Sequence, residues 1–151
     1  MKNLLIVFIF IISCNVSFAQ KAQMKKGIVT IDKKEFLKYD DEFNNIIVST
    51  LKGKEILTLK EYSFQKPRKK NPNNPQDWRF GDTETISYYV VTFEDFVLEF
   101  ETDLKLKDFY VALFKYNLLD ENENVSEENA KKIASRISKD ISGERPIIII
   151  R

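Results

Sequence analysis

The chain of 151 residues contains no histidine. That absence removes the usual neutral-pH general base and with it Ser-His-Asp and Cys-His catalysis. There is one cysteine, Cys14, so no intrachain disulfide can form. Without histidine or a second cysteine, ordinary zinc, copper and haem sites are excluded as well, and no cofactor is expected. Glycine and proline are scarce, four of each, and tryptophan occurs once. No segment after residue 19 is apolar and long enough to span a bilayer. Any chemistry would fall to carboxylates, tyrosine, lysine, serine, threonine or arginine.

What is present begins with a leader. Lys2 supplies a positive start, residues 4–12 are a continuous apolar run, and Ser17, Phe18 and Ala19 end it with small residues where a signal peptidase reads. This pattern predicts a signal peptide over residues 1–19, cut between Ala19 and Gln20, and export to the periplasm or the exterior. An alternative reads Ile11, Ile12, Ser13 and Cys14 as a lipobox, giving an envelope lipoprotein anchored at Cys14. Lys2 is the only charged residue of the leader. Its removal takes the 24 basic residues to 23, equal to the 23 acidic ones. A mature chain of zero net charge has no global field to attract nucleic acid or an anionic membrane.

The stretch TISYYVVTFEDFVLEFE, residues 85–101, reads as two strands turning at Glu94 and Asp95. That turn pairs Phe93 with Phe96, Val91 with Leu98 and Tyr89 with Phe100 on one apolar face. Glu99 and Glu101 share the other face, at about 7 Å. Paired acids at such a distance serve glycan hydrolysis, and they also occur on any half-solvated strand.

Upstream, residues 20–27 are polar and basic and predict a flexible segment before a single domain over residues 28–151. Residues 28–31 predict a short strand, Phe36 and Leu37 begin a return strand, and Asp40, Asp41 and Glu42 read as an acidic turn. Lys52 and Gly53 tip a second hairpin that opposes Val48 to Leu57 and Ile46 to Leu59. Beyond Leu59 the apolar parity shifts to Tyr62 and Phe64. Either a bulge near Lys60 or a strand crossing between two covered faces accounts for it.

Residues 65–84 hold three of the four prolines and read as a long loop. Lys66, Arg68, Lys69 and Lys70 crowd its start; Trp78, Arg79 and Phe80 follow. These seven are the candidate binding residues. Tryptophan is a common interface anchor, and the cations would steer an acidic protein surface or hold an envelope glycan.

After residue 101 the period becomes helical. Thr102 or Asp103 is expected to cap a helix carrying Leu106, Phe109, Tyr110, Leu113 and Phe114. Ser126 caps a second helix, with Ala130, Ile133, Ala134, Ile137 and Ile141 on its apolar stripe, Ile137 buried against the sheet and Gly143 as terminator. Between the helices, Asp120, Asn122, Asn124, Ser126 and Glu128 take alternate positions of a calcium loop. Val125 stands where glycine is needed and Lys131 where the bidentate glutamate belongs, so no metal is expected. Ile147, Ile148, Ile149 and Ile150 close the chain as an internal strand or one completed by a partner.

Strands first and helices last predict an α+β fold, an antiparallel sheet of about six strands in a meander of hairpins covered by a C-terminal helix pair. The function expected is a non-catalytic exported binding module. The alternatives are a lipid-anchored envelope component and a carboxylate-dependent hydrolase of envelope glycan. The order of segments resembles a group of small exported proteins of unknown function from Gram-negative bacteria. The resemblance rests on Phe18-Ala19-Gln20, the tip from Leu51 to Glu55, the strand from Tyr88 to Phe93 and the helix start from Ser126 to Ala130. It implies no activity and carries no site residue.

Overall fold

The computed structural model describes residues 20–70, 73 and 81–144. The leader, Trp78, Arg79, Phe80 and the four terminal isoleucines lie outside them. The fold is α+β: an antiparallel meander followed by two helices. The strands are β1 (Ala22–Lys25), β2 (Ile28–Ile31), β3 (Lys34–Glu42), β4 (Asn45–Ser49), β5 (Glu55–Pro67), β6 (Thr83–Phe93) and β7 (Glu99–Thr102). They lie in the sheet in chain order. The helices are α1 (Leu106–Lys115) and α2 (Glu127–Ile137).

Three turns are two residues long and have both φ angles positive: Lys26 and Gly27, Asp32 and Lys33, Phe43 and Asn44. Positive φ at both positions gives the tight turn whose twist matches the strands it joins. Gly27 suits this place twice over, since a Cβ there would also sit 3.2 Å from the Tyr39 carbonyl oxygen.

These turns correct two expectations. The segment 20–27 is not a flexible stub: its middle is β1, which pairs Ala22 with Ile31 and Met24 with Val29, so the sheet has seven strands. Asp40, Asp41 and Glu42 are not a turn either. They continue β3 and pair with Ile47, Ile46 and Asn45, and the reversal falls on Phe43 and Asn44. Runs of acids discourage strands, but alternation puts Asp40 and Glu42 on one face and Asp41 on the other.

The second hairpin has the expected register, Val48 to Leu57 and Ile46 to Leu59. Its irregularity lies between Val48 and Ser49, where Ile56 is the extra residue and is fully buried beside Leu57. No bulge occurs near Lys60: β5 and β6 pair without a break from Leu57 and Phe93 to Pro67 and Thr83. The parity shift is the other alternative, a strand passing from one covered face to another. A second irregularity, between Val29 and Thr30, leaves Phe36 as the extra residue opposite. The Phe36 ring meets Phe114 of α1 edge-on, centroids 5.2 Å apart.

The core lies between one face of the sheet and the helices. Val29, Leu37, Val48, Leu57, Leu59 and Val91 supply the sheet side; Phe109, Leu113 and Ile133 supply the helix side, all fully buried. The β6–β7 turn is two residues wider than expected, so Val91 pairs with Phe100 rather than Leu98. A shift of two keeps the faces unchanged. Phe93 and Phe96 still stack, centroids 5.1 Å apart.

The helix ends differ from expectation in three places. Thr102 does not cap α1. It is buried in β7, where its hydroxyl donates to the Ile137 carbonyl (3.0 Å) and accepts from the Leu104 amide (3.3 Å). Asp103 does not cap it either: Lys105 holds the N-cap position without a side-chain bond. Ser126 does cap α2, accepting from the Asn129 amide at 3.3 Å. However, α2 ends at Ile137, before Gly143, because Ser138 turns extended and the Lys139 amide donates to the Glu101 carbonyl. Ile137 is consequently half-buried against the core, while Ile141 is buried but lies beyond the helix.

Candidate functional site

The longest strand pair outgrows its neighbours. β4 stops at Asn45, opposite Lys60, and β7 stops at Thr102, opposite Tyr89. Beyond these, among the described residues, β5 and β6 continue alone from the Tyr62–Tyr88 pair to the Pro67–Thr83 pair. At the usual rise per residue this ribbon reaches about 17 Å past the sheet. The Arg68 amide carries the pairing one step further to the Asp82 carbonyl (2.8 Å). The strands thus take up the first and last parts of the long loop expected over residues 65–84.

Alternation gives the ribbon two unlike faces. On one, Tyr62 and Tyr88 stack with centroids 5.8 Å apart, Phe64 meets Tyr88 edge-on, and Tyr88 is almost fully buried. Lys60 places its ammonium 5.3 Å from the Tyr62 ring centroid. On the other, Ser63 pairs with Ser87, Gln65 with Thr85 and Pro67 with Thr83. All six are exposed and none is charged.

The chain after α2 crosses onto the aromatic face. The Ile141 and Ser142 amides donate to Glu101 Oε2 at 2.8 and 2.7 Å. A short 3-10 turn, Ser142–Glu144, then brings Glu144 to Lys66 Nζ at 2.7 Å. Glu84 lies 3.9 Å from the same ammonium. Lys66, Pro67, Lys69, Glu84 and Glu144 line an open cleft of about 540 Å³. At the ribbon end, Lys70 forms an ion pair with Asp82.

The expected cation cluster therefore does not stand together as free charge. Lys66 and Lys70 are neutralised within the chain, Arg68 is half-buried, and Lys69 is exposed. The bond from Lys66 lowers the Glu144 carboxyl below its ordinary 4.5, and the same bond raises Lys66 above 10.5. The signs fix a window. The depressed Glu144 holds the contact above its ordinary value and loses it as pH falls through the depressed one. The raised Lys66 holds it below 10.5 and loses it as pH rises through the raised value. Protection of the Ser142 and Gly143 amides, meaning exchange relative to the intrinsic rate at each pH, is expected to be highest between these limits and to fall on both sides. Equal protection at acid and neutral pH would show that the contact does not secure this segment.

The other two constellations have structural occupations. Glu101 holds the segment after α2, as above, and Glu99 accepts from the Thr92 hydroxyl at 3.1 Å. In the calcium-like loop, Asp120 accepts from the Asn122 and Asn124 amides at 2.8 Å each and from the Asn124 side chain at 3.1 Å. The Asn124 bonds come first in lowering its carboxyl below the ordinary range. Lys52 reaches Glu123 and the Asn122 carbonyl from the β4–β5 turn. Among the described residues no three His, Cys, Asp or Glu side chains are grouped to hold a metal ion.

The chain matches no known family model, curated protein or solved structure. The pairing of Glu101 and Lys66 with the segment after α2 was invisible in the sequence. It joins residues 40 and 78 positions apart, and no local spacing signals it.

Proposed function

We propose that the mature chain is an exported, non-catalytic binding module whose projecting β5–β6 ribbon holds an envelope glycan. The observation that carries this reading is the ribbon's exposed face. It offers hydroxyl and amide groups from Ser63, Gln65, Thr83, Thr85 and Ser87, in a chain where 31% of residues are charged. Neutral donors and acceptors on a stiff pair of strands suit sugar hydroxyls, and Trp78, Arg79 and Phe80 follow in the connecting segment as stacking groups. An acidic protein surface is the weaker reading, because Lys66 and Lys70 are already paired with acids of the chain. No helix of the described residues is long and apolar enough to cross a membrane.

Co-sedimentation of the mature chain with purified cell-wall glycan tests this. Replacing Thr85 and Ser87 together by alanine should weaken capture about tenfold, and a short turn in place of residues 71–80 should do the same. The melting temperature should change little in both. Capture that survives both changes would place the site elsewhere. Capture lost on adding salt would point to the acidic surface instead.

A further inference from the structure

At the end of the sheet where the ribbon begins, the core face does not finish in apolar residues. Alternation along β3 brings Tyr39 and then Asp41 onto that face after Leu37, and along β5 it brings Glu61 after Leu59. Tyr89 of β6 stands directly opposite Glu61. Asp41 pairs with Ile46, which pairs with Leu59, so the two acids lie on one face with β4 between them. Tyr110 of α1 completes the group from the helix side. Helical side chains lean toward the N-terminus, and the groups that act on its hydroxyl are Tyr39, Tyr89 and Asp41.

Tyr110 is the odd member. It is completely buried, and its hydroxyl finds no hydrogen-bond partner among the described residues. Burial first, then those three neighbours, push its ionisation far above the ordinary tyrosine value. The hydroxyl therefore stays protonated, able both to donate and to accept. An enclosed polar group without a partner costs stability. Phenylalanine would fill the same space without that cost, as it does one position earlier at Phe109.

Of the charged groups, Asp41 acts on Tyr110, and Glu61 and Asp41 act on Tyr89 beside it. The Asp41 and Glu61 side chains are exposed and enter no hydrogen bond or ion pair among the described residues. Both acids raise the ionisation of half-buried Tyr89, after burial as the main cause. Beside Tyr89 the first turn of α1 contributes Lys105, Lys107 and Asp108 to an open cleft of about 640 Å³, with Met24 and Leu106 as its apolar walls.

We propose that this mouth binds an organic cation with a primary ammonium head, held between Asp41, Glu61 and the tyrosines, its apolar stem lying along Met24 and Leu106. Two carboxylates supply the charge, and the Tyr39 and Tyr89 rings offer the faces that attract an ammonium. The Tyr110 hydroxyl accepts one of its three N–H bonds. Because that hydroxyl is enclosed, the half-buried Tyr89 ring must yield as the head enters. A metal ion fits less well, since only two carboxylates meet here and a hard divalent ion takes six or more oxygen ligands.

Pentylamine is a suitable probe and pentanol its neutral control. Titration calorimetry on the mature chain should show pentylamine binding that weakens with salt, and no binding of the alcohol. Asp41→Asn combined with Glu61→Gln should weaken pentylamine about tenfold or more. Both positions are exposed, so this variant should fold. Tyr110→Phe should bind several-fold more weakly while melting about 3 °C higher than the parent. Three results would overturn the proposal: no pentylamine binding below about 10 mM, unchanged affinity in the double variant, or unchanged affinity in a folded Tyr110→Phe.

Discussion

Ile133→Ala is expected to destabilise the chain by about 2–5 kcal/mol, the range for emptying a buried aliphatic site. Ile133 is fully buried at the centre of the α2 stripe, between Ala130 and Ala134. Alanine neighbours are too short to close the gap, so the lost methylenes leave a cavity. The same change at Ile137 is expected to cost about 1 kcal/mol, because that side chain is half-buried at the helix end and loses less apolar contact. Urea unfolding of the two variants checks the contrast. Equal losses would mean that both positions lie in the core. Ile133→Asp should not fold, since it would bury an unpaired charge.

The second large effect is at Glu101. Glu101→Ala is expected to cost about 1.5–3 kcal/mol, the range for hydrogen bonds to a charged group. It removes the acceptor for the Ile141 and Ser142 amides together and leaves buried Ile141 without its tether. Glu101→Gln keeps one carbonyl oxygen and should lose about half as much. Hydrogen exchange at Ser142 and unfolding by urea report the two levels. If alanine and glutamine behave alike at the parent's stability, the carboxylate does not hold this segment, and a chemical role for the Glu99 and Glu101 pair returns to consideration.

Much of the architecture was legible because it is local. Alternating residues around Gly53 gave the Val48–Leu57 register, and Ser126 marked the start of α2. The strand at residues 22–25 was not legible, because Gln23 and Lys25 face outward and only Ala22 and Met24 face the core. Four residues with two modest apolar side chains are a weak pattern; pairing with β2 decides the outcome. The ends of β5 and β6 were hidden by Pro67, which discourages strand pairing except where its missing N–H is not required. For the candidate sites, sequence spacing located the cations but not their partners. Glu144, Glu84 and Asp82 meet Lys66 and Lys70 only because the ribbon and the segment after α2 bring them together. The Tyr39, Asp41, Glu61, Tyr89 and Tyr110 group was equally hidden, since it draws on four elements.

The sheet's neighbour-to-neighbour order bears on how the chain reaches this state. Each strand pairs with the one just made, and most connections are turns of a few residues, so little loop entropy opposes any single step. Such a sheet can be assembled from its first hairpin onward, strand by strand. The exceptions are few: α1 must return across the sheet to β1 and β2, and the segment after α2 must reach back to Glu101 and Lys66. These long-range closures carry most of the topological cost. Changes in the hairpin turns should therefore shift the rate of collapse, while Glu101 and Ile133 should govern how long the finished molecule resists opening.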